Sequence, residues 1–141
     1  RDAAVLGRYG RAAVPDPAVP GVRASPVLPP PDVHGVRVDD PAVDFWHSAE
    51  FTWDGQYVVF DDEAQGNDFC SPGNSGQIRI YRVSDGQFMS QYMIPRPQGS
   101  YCSVHNGNLI PVAGRYLLVT AWYHGGTSVI DFTDPSAPTQ K

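Results

Sequence analysis

Cations are scarce in this chain: ten Lys and Arg stand against 15 Asp and Glu among 141 residues, for a formal net charge of −5. A surface so poor in positive charge has no stripe that could neutralise a run of phosphates, which argues against nucleic acid and anionic membranes as partners. Long apolar runs are missing too. Runs such as Tyr116–Val119 are far below the roughly 20 residues that span a bilayer as a helix, so no membrane insertion is expected. The sequence contains no Gly-x-Ser-x-Gly elbow, no Gly-x-Gly-x-x-Gly, no phosphate loop, no His-Glu-x-x-His and no Asn-x-Ser/Thr. The common hydrolase, dinucleotide, phosphoryl-transfer and zincin chemistries therefore lack their residues. No initiator Met or hydrophobic leader precedes Arg1, and the expectation is a processed secreted chain, a piece of a longer protein, or both.

What is present is distributed unevenly. Eight of the 14 prolines fall in the first 41 residues, and every Trp and Phe lies at or after Phe45. Residues 1–42 are expected to be a proline-rich extended segment. Each proline fixes φ and removes an amide donor, and Val36-Arg37-Val38 offers one short edge strand. The core must come from roughly the last hundred residues.

From Trp46 onward the pattern is strands and tight turns. His47–Trp53 and Gln56–Asp62 flank Asp54-Gly55, a hairpin signal read as a two-residue turn. Gln77–Val83 and Gln87–Ile94 flank Ser84-Asp85-Gly86, which predicts four antiparallel strands over residues 43–98. The pattern restarts over residues 99–141 with Ser103–Val112, Arg115–Tyr123 and Thr127–Phe132. His47 and His105 are 58 residues apart, and Gly55 and Gly114, like Tyr57 and Tyr116, are 59 apart. Blade-sized repetition is the mark of a radial repeat architecture and points to a β-propeller, an all-β ring of four-stranded antiparallel blades, against the alternative of a single domain with accidental symmetry. Apolar residues on both faces of Tyr116–Val119 fit a middle strand covered on each side, and Pro111 fits an edge strand.

The second repeat, read as His105, Gly114-Arg115-Tyr116, Gly126, Val129-Ile130-Asp131, Asp134-Pro135 and Pro138, resembles the LVIVD repeat. The first, His47-Ser48 through Trp53-Asp54-Gly55 to Asp61-Asp62-Glu63, is similar to the matching blade of secreted bacterial members. The resemblance covers about Phe45 to Lys141. It implies a full ring of several blades, whereas this chain is expected to carry an incomplete ring whose second blade lacks its outer strand.

Cys70 and Cys102 lie 32 residues apart with no Cys-x-x-Cys spacing, which favours one disulfide worth about 2–4 kcal/mol over zinc or redox work. The alternative, Cys102 as a nucleophile with His105 as its base, lacks a third group. His47 and His105 open equivalent strands. Counting outward from Asp54-Gly55 sets His47 opposite Asp62, and the same count around Ala113-Gly114 sets His105 opposite Trp122 with His124 nearby. His47, Asp62, Glu63, His105 and His124 are therefore candidate ligands for a divalent metal at the channel mouth, against the alternative that each His caps a strand end. Asp61-Asp62-Glu63 with Asn67 and Asp68 offers oxygens for calcium or, alternatively, a solvated acidic loop. Phe45-Trp46 and Trp122-Tyr123 are read as core rather than as stacking platforms.

Three functions follow as expectations. The first is a secreted or cell-surface binding and scaffold module that is non-catalytic in this stretch. The second is a metal-dependent enzyme with a His/Asp site at the channel mouth, and the third is a self-assembling structural subunit. Expected partners are the remaining blades of a longer chain or other copies of the same one.

Overall fold

The computed structural model describes residues 4–6, 36–63, 76–95 and 103–141, with residues 4–6 described by their backbone alone. All regular structure among the described residues is β. The strands are β1 (Ala4–Leu6), β2 (Val36–Val38), β3 (Trp46–Phe51), β4 (Tyr57–Asp62), β5 (Ile78–Arg82), β6 (Phe88–Tyr92), β7 (Val104–Ile110), β8 (Leu117–Trp122), β9 (Gly126–Asp131) and β10 (Thr139–Gln140). They form two four-stranded antiparallel sheets, β3-β4-β5-β6 and β10-β9-β8-β7, each a meander, together with a β1–β2 ladder. The expected strand at Val36–Val38 is therefore present and pairs with Ala4–Leu6. Residues 1–3 and 7–35 of the proline-rich segment lie outside the described residues, as do Cys70 and Cys102 with their expected bridge.

Two expectations are corrected by the chain's turns. The second sheet does have an outer strand, because Asp134 reverses the chain: its Oδ1 accepts the Ser136 N–H at 3.0 Å, and Thr139 and Gln140 then pair with Asp131 and Ile130. The turn at Asp54-Gly55 is a four-residue loop rather than a two-residue one. The Thr52 N–H donates to the Tyr57 carbonyl at 2.9 Å, and the Thr52 Oγ1 accepts the Tyr57 N–H at 3.0 Å in place of a backbone carbonyl. Asp54 braces this loop from within by accepting the Gln56 N–H at 3.0 Å, an Asx-type turn. Pro111 lies just beyond the end of the edge strand β7 rather than inside it.

The loop at Gly86 repeats this design, with Asp85 accepting the Gln87 N–H at 3.1 Å. Gly86 has φ 72°, and a Cβ there would stand 2.7 Å from Val36 Cγ1 and 3.0 Å from Val38 Cγ2. Gly55 has φ 68° but nothing within 4 Å. Gly55→Ala is expected to cost about 1–2 kcal/mol through left-handed backbone strain alone. Gly86→Ala is expected to cost measurably more, because β2 must also move. Chemical denaturation of the two variants side by side checks the difference, and equal losses would refute the contact.

The sheets pack in one direction. Val59, Ile78 and Ile80 of the first sheet form a single cluster with Val104, Leu118, Trp122 and Ile130 of the second, closed by Ile94 and Phe132. The opposite face of the first sheet carries Val58, Phe60 and Tyr81, which are covered by Val38 with help from Val36 and Trp46. Burial on both faces is why β4 reads Tyr-Val-Val-Phe without alternation. Aligning the sheets on the pairs Trp46–Asp62 and Val104–Trp122 matches Val58 to Leu118 and Tyr81 to Ile130, while Val59 matches Val119 and Ile80 matches Val129. The face of the second sheet that receives its neighbour thus corresponds to the face of the first sheet that β2 covers. Val119 and Val129 occupy the other face, half-buried, and no described element packs on them.

Candidate functional site

The site is built by two β-bulges. Pairing in the first sheet runs regularly from Phe51–Val58 to Ser48–Asp61 and then jumps to Trp46–Asp62, so His47 is the extra residue. In the second sheet it runs from Ile110–Leu117 to Gly107–Thr120 and then jumps to Val104–Trp122, so His105 falls within the bulge. A bulge bends its strand and re-aims the side chain it carries. The edge strands β3 and β7 lie against one another, so the two re-aimed imidazoles meet, with ring centroids 4.7 Å apart at 30°.

Both rings address Glu63, which follows β4 and is held in place by its N–H donating to the Phe45 carbonyl at 3.0 Å. His47 Nε2 lies 3.1 Å from Glu63 Oε2, and His105 Nε2 lies 3.7 Å from Oε1. The Tyr123 hydroxyl donates to Oε1, and its ring stands edge-on to His105 at 5.5 Å. Glu63 is only 8% exposed, so this carboxylate is removed from water and held by aromatic and imidazole neighbours. One donor atom from each of His47, Glu63 and His105 can be chosen so that all lie within 4.8 Å of one another.

The expected pairing of His47 with Asp62 is corrected, because the bulge slips the register by one and sets Trp46 opposite Asp62. Asp62 holds backbone instead. Its Oδ1 accepts the N–H groups of Phe45 at 2.8 Å and Asp44 at 3.1 Å, and its Oδ2 accepts the Gly76 N–H at 3.4 Å. Burial raises its pKa although these bonds oppose the shift. The same slip sets Val104, not His105, opposite Trp122. His124 follows β8 on the surface and, like Asp62, is not among the three converging donors. Among the described residues, Asp61 and Asp62 do not join Glu63 in the converging donor group. Asp61 accepts the Ser48 hydroxyl at 2.5 Å, and burial pushes its carboxyl up to about 7, with the charges of Glu50 and Glu63 adding to the rise. Asn67 and Asp68 lie outside the described residues.

At the opposite end of the sheets, Trp53, Pro111, Val112 and Arg115 line an open groove of about 480 Å³. Tyr116 donates to Asp54 Oδ2 across its floor at 2.6 Å and ties the two sheets together. That hydrogen bond, followed by burial, pushes the Tyr116 hydroxyl up to about 12.

Sequence reasoning missed the part that Tyr123 plays and the centrality of Glu63. The order of the acidic run marks Glu63 only as one carboxylate of three, and no residue type announces a bulge. Comparison with known proteins found no match: no family model, no curated protein and no solved structure corresponds to the chain.

Proposed function

We propose that the chain is a binding and scaffold module of a secreted or cell-surface protein, formed by two consecutive blades of a β-propeller. The observation that carries this reading is the direction of packing: equivalent four-stranded meanders meet front to back, with the Val59 and Ile80 face of one on the Leu118 and Ile130 face of the next. Repeating that step extends the stack, and the half-buried face bearing Val119 and Val129 is where the next sheet belongs. The partners are then the remaining blades of a longer chain, or other copies of this one when it stands alone. The resemblance of His105 to Pro138 to the LVIVD repeat supports the same reading.

A chain with this face open is expected to self-associate in solution. Val119→Asp should return it to a monomer without changing its β-type circular dichroism, since a charge in that position is desolvated only on association. Sedimentation equilibrium reads the result. A wild-type chain that stays monomeric across concentrations overturns the open-face argument. A second reading, a metal-dependent enzyme, is favoured by one observation, the convergence of His47, Glu63 and His105.

A further inference from the structure

We propose that His47, Glu63 and His105 form a binding site for a divalent transition metal, zinc foremost, seated where the two sheets meet. The inference rests on these side chains and not on the propeller reading. A chain that fails to self-associate leaves it standing, and a chain that binds no metal leaves the stacking argument intact.

The donor chemistry comes first. Two imidazoles and one carboxylate suit zinc, cobalt or nickel, whereas calcium and magnesium prefer all-oxygen shells. Metal–ligand bonds of about 2.0–2.1 Å in tetrahedral array put neighbouring ligand atoms roughly 3.3 Å apart. His47 Nε2 lies 3.1 Å from Glu63 Oε2, the oxygen that Tyr123 leaves free, and His105 Nε2 lies 3.7 Å from the other carboxylate oxygen. One donor atom from each of the three residues fits within 4.8 Å. Small rotations of the rings would bring the three donors onto one ion. Three protein ligands leave one coordination position open for water or for an anionic group of a ligand.

The second argument is positional. The two histidines come from separate sheets, and each is carried in a bulge at the same point of its edge strand. A regular ladder at either place would count His47 and His105 into the ordinary alternation of their strands. Glu63 is buried yet keeps a carboxylate turned to both rings. One of its oxygens takes the Tyr123 hydroxyl, which fixes the carboxylate plane and leaves the second oxygen for the ion. Outer-sphere partners of this kind orient metal ligands.

Zinc titrated into the intact, metal-stripped chain by calorimetry is expected to bind at one equivalent. Cobalt should give the visible absorption of a four-coordinate ion, and calcium should give no heat. His47→Ala and His105→Ala are each expected to weaken zinc by more than the roughly 10–100-fold that loss of an outer-sphere partner costs. Tyr123→Phe should fall within that range. Glu63→Gln, which keeps the shape, separates loss of a ligand from loss of fold, and circular dichroism of every variant confirms that it is folded. No saturable binding by the wild-type chain overturns the proposal. So does zinc binding that survives unchanged in the folded His47→Ala/His105→Ala variant, since the ion would then sit elsewhere.

Discussion

Trp122→Ala is expected to remove about 3–5 kcal/mol, enough to unfold much of the population of a small domain. Trp122 is 1% exposed and sits where the sheets join, in one cluster with Val59, Ile80, Leu118 and Ile130 and edge-on to Tyr92 at 6.4 Å. Truncation deletes the largest fully buried side chain and leaves a cavity bounded by both sheets, which cannot collapse without moving one against the other. Leu118→Ala, in the same cluster, should cost about 2–5 kcal/mol. Urea denaturation followed by tryptophan fluorescence and circular dichroism measures both. A loss below about 1 kcal/mol for Trp122→Ala would mean that the sheets do not share a core.

Asp40→Ala is expected to cost about 3 kcal/mol, near the lower bound for stripping a buried ion pair of one partner. Asp40 Oδ2 accepts from Arg79 Nη2 at 2.8 Å and from the Tyr81 hydroxyl at 2.7 Å. Arg79 is almost wholly enclosed, reaching Gln91 Oε1 at 2.9 Å and lying 4.7 Å over the Phe88 ring. Without the carboxylate the guanidinium stays buried and loses its counter-charge. Asp40→Ala combined with Arg79→Leu should therefore recover part of the loss, and a double-mutant cycle reads the coupling.

The pair also sets an acid limit. Burial would raise the Asp40 carboxyl, but the Tyr81 hydroxyl, the Ala42 N–H and the Arg79 guanidinium outweigh it and hold its pKa below the ordinary carboxylate value. Its contribution is then complete above the unfolded-state pKa near 4 and is lost as pH falls through the lower folded-state value. Wild-type and Asp40→Ala stabilities should converge on acidification below about pH 4.

The hairpins were legible because their chemistry is local. Asp54-Gly55 and Asp85-Gly86 each combine an Asx-type brace with a residue that tolerates positive φ, and the chain turns at both. The doubled apolar faces were legible at Tyr116–Val119, as a run that no solvated hairpin could hide. Among the described residues, however, only the Leu118 face of that strand is covered, and the strand buried on both faces is β4. The recurrence of His47 and His105 was legible too, yet their convergence on Glu63 depends on a one-residue slip in each ladder that composition does not encode. β10 escaped notice because Thr139–Gln140 is two exposed polar residues with no alternation to read. The Asp40–Arg79–Tyr81 network joins residues about forty positions apart, and nothing local to Asp40 announces its partners.

The cover that β2 lays over Val58, Phe60 and Tyr81 gives the stack a polarity. One end is finished with a layer of the chain's own making, in the way that solenoids finish with a terminal cap. Among the described residues, only the other end is left uncovered. Two copies can meet open end to open end, which closes the assembly by two-fold symmetry. Growth into a filament would require each copy to offer a socket as well as a plug, and in this chain Val36 and Val38 already fill the socket. When the chain stands alone, the same small strand that completes a core would also act as a chain terminator, and association through the open face would stop at a pair.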